Sequence, residues 1–487
     1  MQKRLGLIIG PLLFLIILLL TPFEGLSEQG HAVLATTIWI AVWWVTEAIP
    51  IAATALLPIV LFPLTGGMNL ASTTASFGHK YVFLYLGGFL IAIGIEKWNL
   101  HRRIALTIIA FIGSDTRKII LGFMIATAFL SMWISNTATS VMMLPIGLAI
   151  IKQLKDNPDT DEDENLIFGK ALMLGIAYSA SIGGIATLIG TPPNLVLAGI
   201  IESSYGYEIT FLEWFQFGLP VALLLLIFCW YYLTRIAYKF KQVDFPGGLK
   251  EIQRLKSNLG IISKEERRVG FVFILAALCW ISRSFILQPL FPSIDDTIIA
   301  ILFGITLFII PSKNNKEPLL NWKDTLNLPW GIILLFGGGM ALAKAFDESG
   351  LALWLGNLMT EFGGFPFFIL LLLLITAVNF LTEITSNLAT TAMLLPVLAP
   401  LALEVGVHPF GLMVGAAVAA SCAYMLPVAT PPNAVVFGSG YLRIPDMVSK
   451  GIVLNLFSIL VISIMVYFLL PFLWEIDLTS FPETFLP

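Results

Sequence analysis

The sequence predicts an all-α polytopic membrane protein of about eleven transmembrane helices and two re-entrant helical hairpins, arranged as inverted-topology repeats. Three observations predict it. Of 487 residues, 57% are hydrophobic and only 12% charged, with mean hydropathy +0.90, which leaves no room for a soluble domain of useful size. The stretch Ser135-Asn136-Thr137-Ala138-Thr139 returns as Ser386-Asn387-Leu388-Ala389-Thr390, and each copy runs on to a Leu-Pro pair, Leu144-Pro145 and Leu395-Pro396. A second pair, Thr191-Pro192-Pro193-Asn194 and Thr430-Pro431-Pro432-Asn433, recurs in the same order, and Leu86-Gly87-Gly88 is echoed by Phe336-Gly337-Gly338.

In chain order, Lys3-Arg4 and the apolar run 5–23 have the charge of a signal sequence but no small-x-small cleavage site, so residues 1–30 read as an extra, retained first span. Further runs near the ~20 residues a span needs lie at 33–48, 50–64, 81–96, 168–200, 218–234, 269–289, 297–311, 329–346, 411–438 and 451–474. Residues 31–240 form the first repeat, 241–268 a basic cytoplasmic linker and 269–487 the second repeat. Between the fourth span and the first hairpin, Lys97 to Lys118 reads as an amphipathic interfacial arm carrying Arg102, Arg103 and Arg117. The loop Lys152 to Lys170, with Asp159, Asp161, Glu162, Asp163 and Glu164, reads as solvated surface.

The two central repeat motifs sit in the apolar runs 119–151 and 366–400. Each arm of either run is ~16 residues, or ~24 Å of helix, short of the ~30 Å hydrocarbon core. The tips therefore stop within the bilayer. Lysine and arginine placement agrees: with the N-terminus in the cytoplasm and both runs re-entrant, all basic residues except Lys80, Arg283 and Lys344 fall inside and the C-terminus outside. A full crossing by the first run would send the basic loop Arg235 to Arg268 to the outside.

The run 168–200 would make ~50 Å of continuous helix, more than a tilted span needs, and Gly190-Thr191-Pro192-Pro193 breaks it. Ala429-Thr430-Pro431-Pro432 breaks the tenth span in the same way. Matching broken helices are the best sequence pointer to a midplane binding site in a secondary transporter. Freed carbonyls with Ser and Asn oxygens suit a small hard cation such as Na+, whereas half-helix N-termini and side-chain donors suit an anion. No lysine or arginine lies in any of the four motifs, so neutral donors and a bound cation would hold that anion. Small polar residues also serve helix packing, and proline pairs also merely kink; four motifs in two matching pairs weigh against that.

Glu47 and Glu383 lie deep in apolar runs, where a carboxylate is either functional or paired and structural. Glu383 corresponds to Met132 in the first repeat, so the two copies do not share it. The Trp43-Trp44 pair reads as packing or interface anchoring. Cys229, Cys279 and Cys422 have no disulfide or zinc spacing, and the four histidines fall at span ends. A net charge of -4 offers no nucleic-acid face. The spans hold no HExxH, GxSxG or paired carboxylate, which speaks against an enzyme. A cofactor is not expected.

Val45-Thr46-Glu47-Ala48, the two hairpin tips, Gly190-Thr191-Pro192-Pro193-Asn194 and Pro427-Val428-Ala429-Thr430-Pro431-Pro432-Asn433 resemble the divalent anion/sodium symporter family, bacterial dicarboxylate transporters of the INDY type. The resemblance covers nearly the whole chain. It implies a homodimer in the inner membrane and an elevator-type transporter carrying succinate, malate or fumarate with Na+. It also implies that Ser135, Asn136 and Thr137 touch one carboxylate and Ser386 and Asn387 the other, with Thr191 and Thr430 lining the pocket. One sodium site would comprise Ser131, Ser135, Asn136 and Gly190, and the second Thr382, Ser386, Asn387 and Ala429. Sodium-independent exchange of dicarboxylates or 2-oxoglutarate is the alternative within the family, and sulfate a weaker one.

The second tip departs from the family pattern. Leu388 stands where the pattern has threonine, removing a hydroxyl whose hydrogen bond to a charged group would contribute ~1.5–3 kcal/mol. Thr390, Thr391 or water would have to replace it.

Overall fold

A computed structural model of the protein describes residues 2–113, 115–153, 163–240, 246–312, 317–358 and 366–485. Asp159, Asp161 and Glu162 of the expected surface loop and the first residues of the basic linker lie outside them. The described residues are helical throughout, with one isolated bridge between Pro311 and Pro318. Among the described residues, seven helices are long and apolar enough to cross a membrane, including Glu164–Ile185, Lys264–Leu290 and Ile444–Trp474. Shorter apolar helices include Asn136–Ile151, Phe367–Leu381 and Pro409–Ala420.

Polar side chains set where these helices begin. Ser27, Asp115, Asp163 and Asp295 each accept the backbone N–H three residues on, satisfying a donor that helix geometry leaves free. Thr210 with Glu213, and Ser263 with Glu266, do so reciprocally.

Both halves present the same order of elements. In the first, Thr116–Ser131 and Asn136–Ile151 are followed by Glu164–Ile185, a break, Pro192–Tyr205, and Phe211–Tyr231. In the second, Phe367–Leu381 and Asn387–Val405 are followed by Pro409–Ala420, a break, Pro431–Phe437, and Ile444–Ile464. The halves interlock crosswise. Pro192–Tyr205 packs on Asn387–Val405 of the other half, and Pro431–Phe437 packs on Asn136–Ile151 and Glu164–Ile185. Both tips and both breaks thereby meet at one place.

The remaining helices flank this centre. Lys80–Lys97 lies along Asp296–Ile309, where a Cβ at Gly87 would sit 2.8 Å from the Ala300 carbonyl oxygen. Trp330–Ser349 packs against both Asn387–Val405 and Pro192–Tyr205, and Gln2–Leu19 pairs with Glu28–Thr46. The expected arm is the helix Leu100–Ile112, packed on Thr116–Ser131 and on Pro246–Asn258 of the linker. Arg103 anchors it with a forked bond to Glu266, Nε to Oε1 at 2.8 Å and an Nη to Oε2 at 3.1 Å.

Candidate functional site

The first tip turns over Met132–Ser135, and Ser135 Oγ accepts the Ala138 N–H at 3.2 Å as the cap of Asn136–Ile151. The second turns over Thr382–Ser386, where Ser386 makes no side-chain cap, leaving the first amides of Asn387–Val405 without that partner. Each tip thus aims a helix N-terminus, the positive end of its dipole, at the shared centre.

Behind each tip lies a cluster of oxygens. Ser131 is fully buried, and its hydroxyl donates to the Ala180 carbonyl at 2.7 Å. The Asn136 amide faces the same group. With its nitrogen inward it donates to Ser131 Oγ at 2.5 Å, Ala180 O at 3.2 Å and Gly190 O at 3.3 Å. With its oxygen inward, four oxygens converge with one hydroxyl proton among them, which is the donor set of a small hard cation. The second cluster matches three of these oxygens, with Thr382 Oγ1 at 2.8 Å from Asn387 Oδ1 and 2.9 Å from the Ala420 carbonyl. Ser131 and Thr382, four positions before their caps, occupy equivalent places in the two copies.

The breaks are held open by side chains. Asn194 Nδ2 donates to the Thr187 carbonyl at 2.8 Å and to Gly184 and Ile185 at 3.3 Å, while Trp214 Nε1 donates to Ile185 at 2.9 Å. Asn433 Nδ2 likewise donates to Leu426 at 3.0 Å and Ala423 at 3.2 Å. The asparagines ending both Thr-Pro-Pro-Asn motifs therefore satisfy carbonyls at the end of the preceding helix and in the break itself.

The second break is the longer, 421–430 against 186–191, and it exposes amides as well. Glu383 answers them. Its carboxylate accepts from Tyr424 N at 2.7 Å, Met425 N at 3.0 Å, Leu426 N at 3.0 Å and Asn455 Nδ2 at 2.7 Å. Of the two readings open for this residue, the paired structural carboxylate is the one the geometry supplies. The shorter first break needs no such group, which accounts for Met132 at the equivalent position.

Tips and breaks line one cavity of about 800 Å³. Ser135, Asn136, Thr137, Gly190, Thr191, Ser386, Asn387, Ala429 and Thr430 all face it, so of the expected site residues only Ser131 and Thr382 stand back, in the layer behind the tips. Sequence reasoning missed part of the wall: Trp44, Tyr85, Leu335 and Thr385 also contribute. An aromatic or aliphatic residue in an apolar run carries no signal beyond packing, and Thr385 matches an isoleucine, Ile134, in the first repeat. Glu47 was expected deep in a span. It instead caps the C-terminal end of Glu28–Thr46 with φ +46° at the cavity rim, 56% exposed and 3.5 Å from the Lys3 ammonium. The rim thus carries a cation that no motif contains.

The family model described as the sodium:sulfate symporter transmembrane region matches residues 2–475. A sodium-dependent dicarboxylate transporter, SdcS of Staphylococcus saprophyticus, is 49% identical over 98% of this chain and 93% of its own length. The protein of the same name from Staphylococcus aureus is 48% identical over the same shares. Among solved structures, MtrF of Neisseria gonorrhoeae superimposes with TM-score 0.58 at 12% identity, covering 91% of this chain and 95% of that one. The YdaH transporter of Alcanivorax borkumensis does so with TM-score 0.56 at 15% identity, covering 90% and 99%. These two share the fold of a membrane transporter. The agreement of motif, order and full-length identity places this chain in the sodium:sulfate symporter family.

Proposed function

We propose that the chain is a secondary transporter importing C4-dicarboxylates such as succinate, malate and fumarate with Na+. The observation that carries this reading is the doubled oxygen cluster, Ser131 with Asn136, Ala180 and Gly190, and Thr382 with Asn387 and Ala420, set directly behind two tips that line one cavity. A cation in either cluster turns the adjoining amide oxygen toward itself and the amide nitrogen toward the cavity. That nitrogen then donates to a carboxylate. Cation and anion are thereby coupled through one side chain, with no lysine or arginine in the motifs. The naming of two relatives as sodium-dependent dicarboxylate transporters supports the coupling to Na+ and the dicarboxylate class.

In this reading Ser135, Asn136, Thr137 and Thr191 hold one carboxylate, and Ser386, Asn387 and Thr430 the other. Ala429 adds its carbonyl to the second sodium site and Gly190 to the first. The hairpins enter from opposite sides, and the body formed by both hairpins and both broken helices moves as an elevator within a homodimer. With the N-terminus cytoplasmic, the cavity rim at Lys3 opens inward.

Uptake of radiolabelled succinate into proteoliposomes tests this. Uptake that needs an inward Na+ gradient and proceeds into empty vesicles is expected, with Asn136→Ala reducing it at least tenfold on the order of one lost charged hydrogen bond. Uptake that ignores Na+ and requires internal dicarboxylate would overturn symport in favour of exchange.

A further inference from the structure

The two tips occupy equivalent places but carry different chemistry. Ser135 matches Ser386 and Asn136 matches Asn387, yet Thr137 matches Leu388 and Ile134 matches Thr385. Thr137 and Leu388 are each the second residue of their tip helix, and both line the cavity. Thr137 is exposed there and bonds to no other described residue, so its hydroxyl is free to donate to a carboxylate and to accept from a substrate hydroxyl beside it. Leu388 presents methyl groups instead and is 5% exposed.

Thr385, which also lines the cavity, does not replace the missing donor. Its hydroxyl stands 2.9 Å from the Leu381 carbonyl and 2.6 Å from Thr390 Oγ1. A hydroxyl has one proton, and either partner takes it. Thr390 is fully buried and Thr391 Oγ1 donates to the Asn387 carbonyl at 2.8 Å, so neither of them reaches the cavity. The second tip therefore offers Ser386, the Asn387 amide and the uncapped backbone amides of its helix, all suited to a carboxylate. Beside that carboxylate it offers a hydroxyl no free side-chain donor, because the apolar Leu388 fills the place that Thr137 holds at the first tip.

We propose that the two ends of a C4-dicarboxylate are read differently: a hydroxyl on the carbon next to the carboxylate is accepted at the Thr137 end and rejected at the Leu388 end. This rests on the dicarboxylate reading. A 2-hydroxy acid such as malate has one orientation that turns its hydroxyl toward Thr137. A 2,3-dihydroxy acid such as tartrate has none, because one hydroxyl always meets Leu388 without a partner. An apolar wall rejects an added hydroxyl by roughly 100-fold at most, so discrimination of about tenfold or more is expected.

Competition against labelled succinate uptake in proteoliposomes measures it, using malate and each stereoisomer of tartrate. Wild-type protein is expected to be inhibited by malate within a few-fold of succinate, and by every tartrate isomer about tenfold more weakly than by malate. Leu388→Thr is expected to narrow the tartrate-to-malate ratio by about tenfold. The isosteric Thr137→Val tests the other end and is expected to weaken malate relative to succinate. Wild-type inhibition by tartrate equal to that by malate overturns the proposal, as does an unchanged ratio in Leu388→Thr. Should Leu388→Thr give no folded protein, an unchanged malate-to-succinate ratio in Thr137→Val overturns it. Failure of the dicarboxylate reading itself is seen separately, as absence of succinate uptake by the wild-type protein.

Discussion

At the scale of single residues, two buried polar groups earn specific expectations. Glu383 is 3% exposed and faces three backbone amides and one side-chain amide. Replacing it with glutamine turns an NH2 group toward this ring of donors and leaves amides unsatisfied, each at about 1–3 kcal/mol. Glu383→Gln is therefore expected to lower stability by on the order of 3 kcal/mol, read as a fall in Tm, and Glu383→Ala by more. A glutamine variant with wild-type Tm would remove the carboxylate from its capping role. His408 sits before Pro409–Ala420, its Nδ1 accepting the Phe410 N–H at 3.2 Å. Burial pushes the imidazole from 6.5 down to about 4, against a smaller upward pull from Asp477. The unfolded chain thus binds a proton between those values that the folded chain refuses. Stability falls as pH drops through that window and is unaffected above it. His408→Asn keeps a cap acceptor and removes the titration, so the Tm of this variant should decline less between pH 7 and 5 than that of the parent.

At the scale of elements, the helix Glu164–Ile185 shows how closely the centre is built. A Cβ at Gly183 would lie 2.3 Å from the Ala128 carbonyl oxygen and 2.6 Å from its Cα, backbone atoms that cannot step aside. Two turns earlier, a Cβ at Gly175 would meet side chains alone, the flexible Met124 at 3.2 Å and Ile120 in ordinary contact at 3.6 Å. Gly183→Ala is expected to cost about 1–3 kcal/mol and, because it displaces the helix carrying the Ala180 carbonyl, to lose more uptake than stability. Gly175→Ala should stay near wild type in both; equal behaviour of the two would mean that the spacing of these helices is not constrained. The same elements show what the sequence made legible. Hydroxyls and amides in the middle of an apolar run, repeated in two copies, made both turns readable, and paired prolines announced both breaks. Break length was not readable, because nothing in 421–426 marks the chain as unwound before Pro427, and the purpose of Glu383 was hidden with it. Lys3 at the rim depends on Gln2–Leu19 lying along Glu28–Thr46, with Trp43 Nε1 donating to the Gly6 carbonyl at 2.9 Å. Packing of that kind has no local signature.

At the scale of the whole molecule, a charged cluster joins the flanking helices to the central body. Lys80, at the start of its helix, lies 2.5 Å from Glu202 and 3.6 Å from Glu208. Arg283, 1% exposed, lies 2.8 Å from Glu208 and 3.2 Å from Asp296, which in turn accepts the Phe211 N–H at 2.7 Å. Lys80, Arg283 and Asp296 belong to the flanking helices, whereas Glu202, Glu208 and Phe211 belong to the segment around Pro192–Tyr205 and Phe211–Tyr231. If the central body moves as proposed, these ties must break, so they favour the conformation seen here. Removing Arg283 would strand two carboxylates, a change expected to unfold the region rather than release it. Glu208 is the better lever, being 30% exposed. Burial raises its carboxyl, but the hydrogen bond and charge of Arg283, with Lys80, more than offset that and hold it below the ordinary 4.5. The tie is therefore intact at neutral pH and lost only as pH falls through that depressed value. Glu208→Gln should release it at neutral pH. A cysteine placed at Val428, 80% exposed at the cavity rim, reports the outcome. In a cysteine-free background, labelling of Val428→Cys from the rim side is expected to slow severalfold when Glu208→Gln is added, on the scale of about 1 kcal/mol for a partly exposed ion pair. Acidification from pH 7.5 to 6 should slow labelling by the same factor with and without Glu208→Gln, the factor set by the falling thiolate fraction alone. Equal labelling with and without Glu208→Gln would show that the cluster holds the fold together without biasing its conformation.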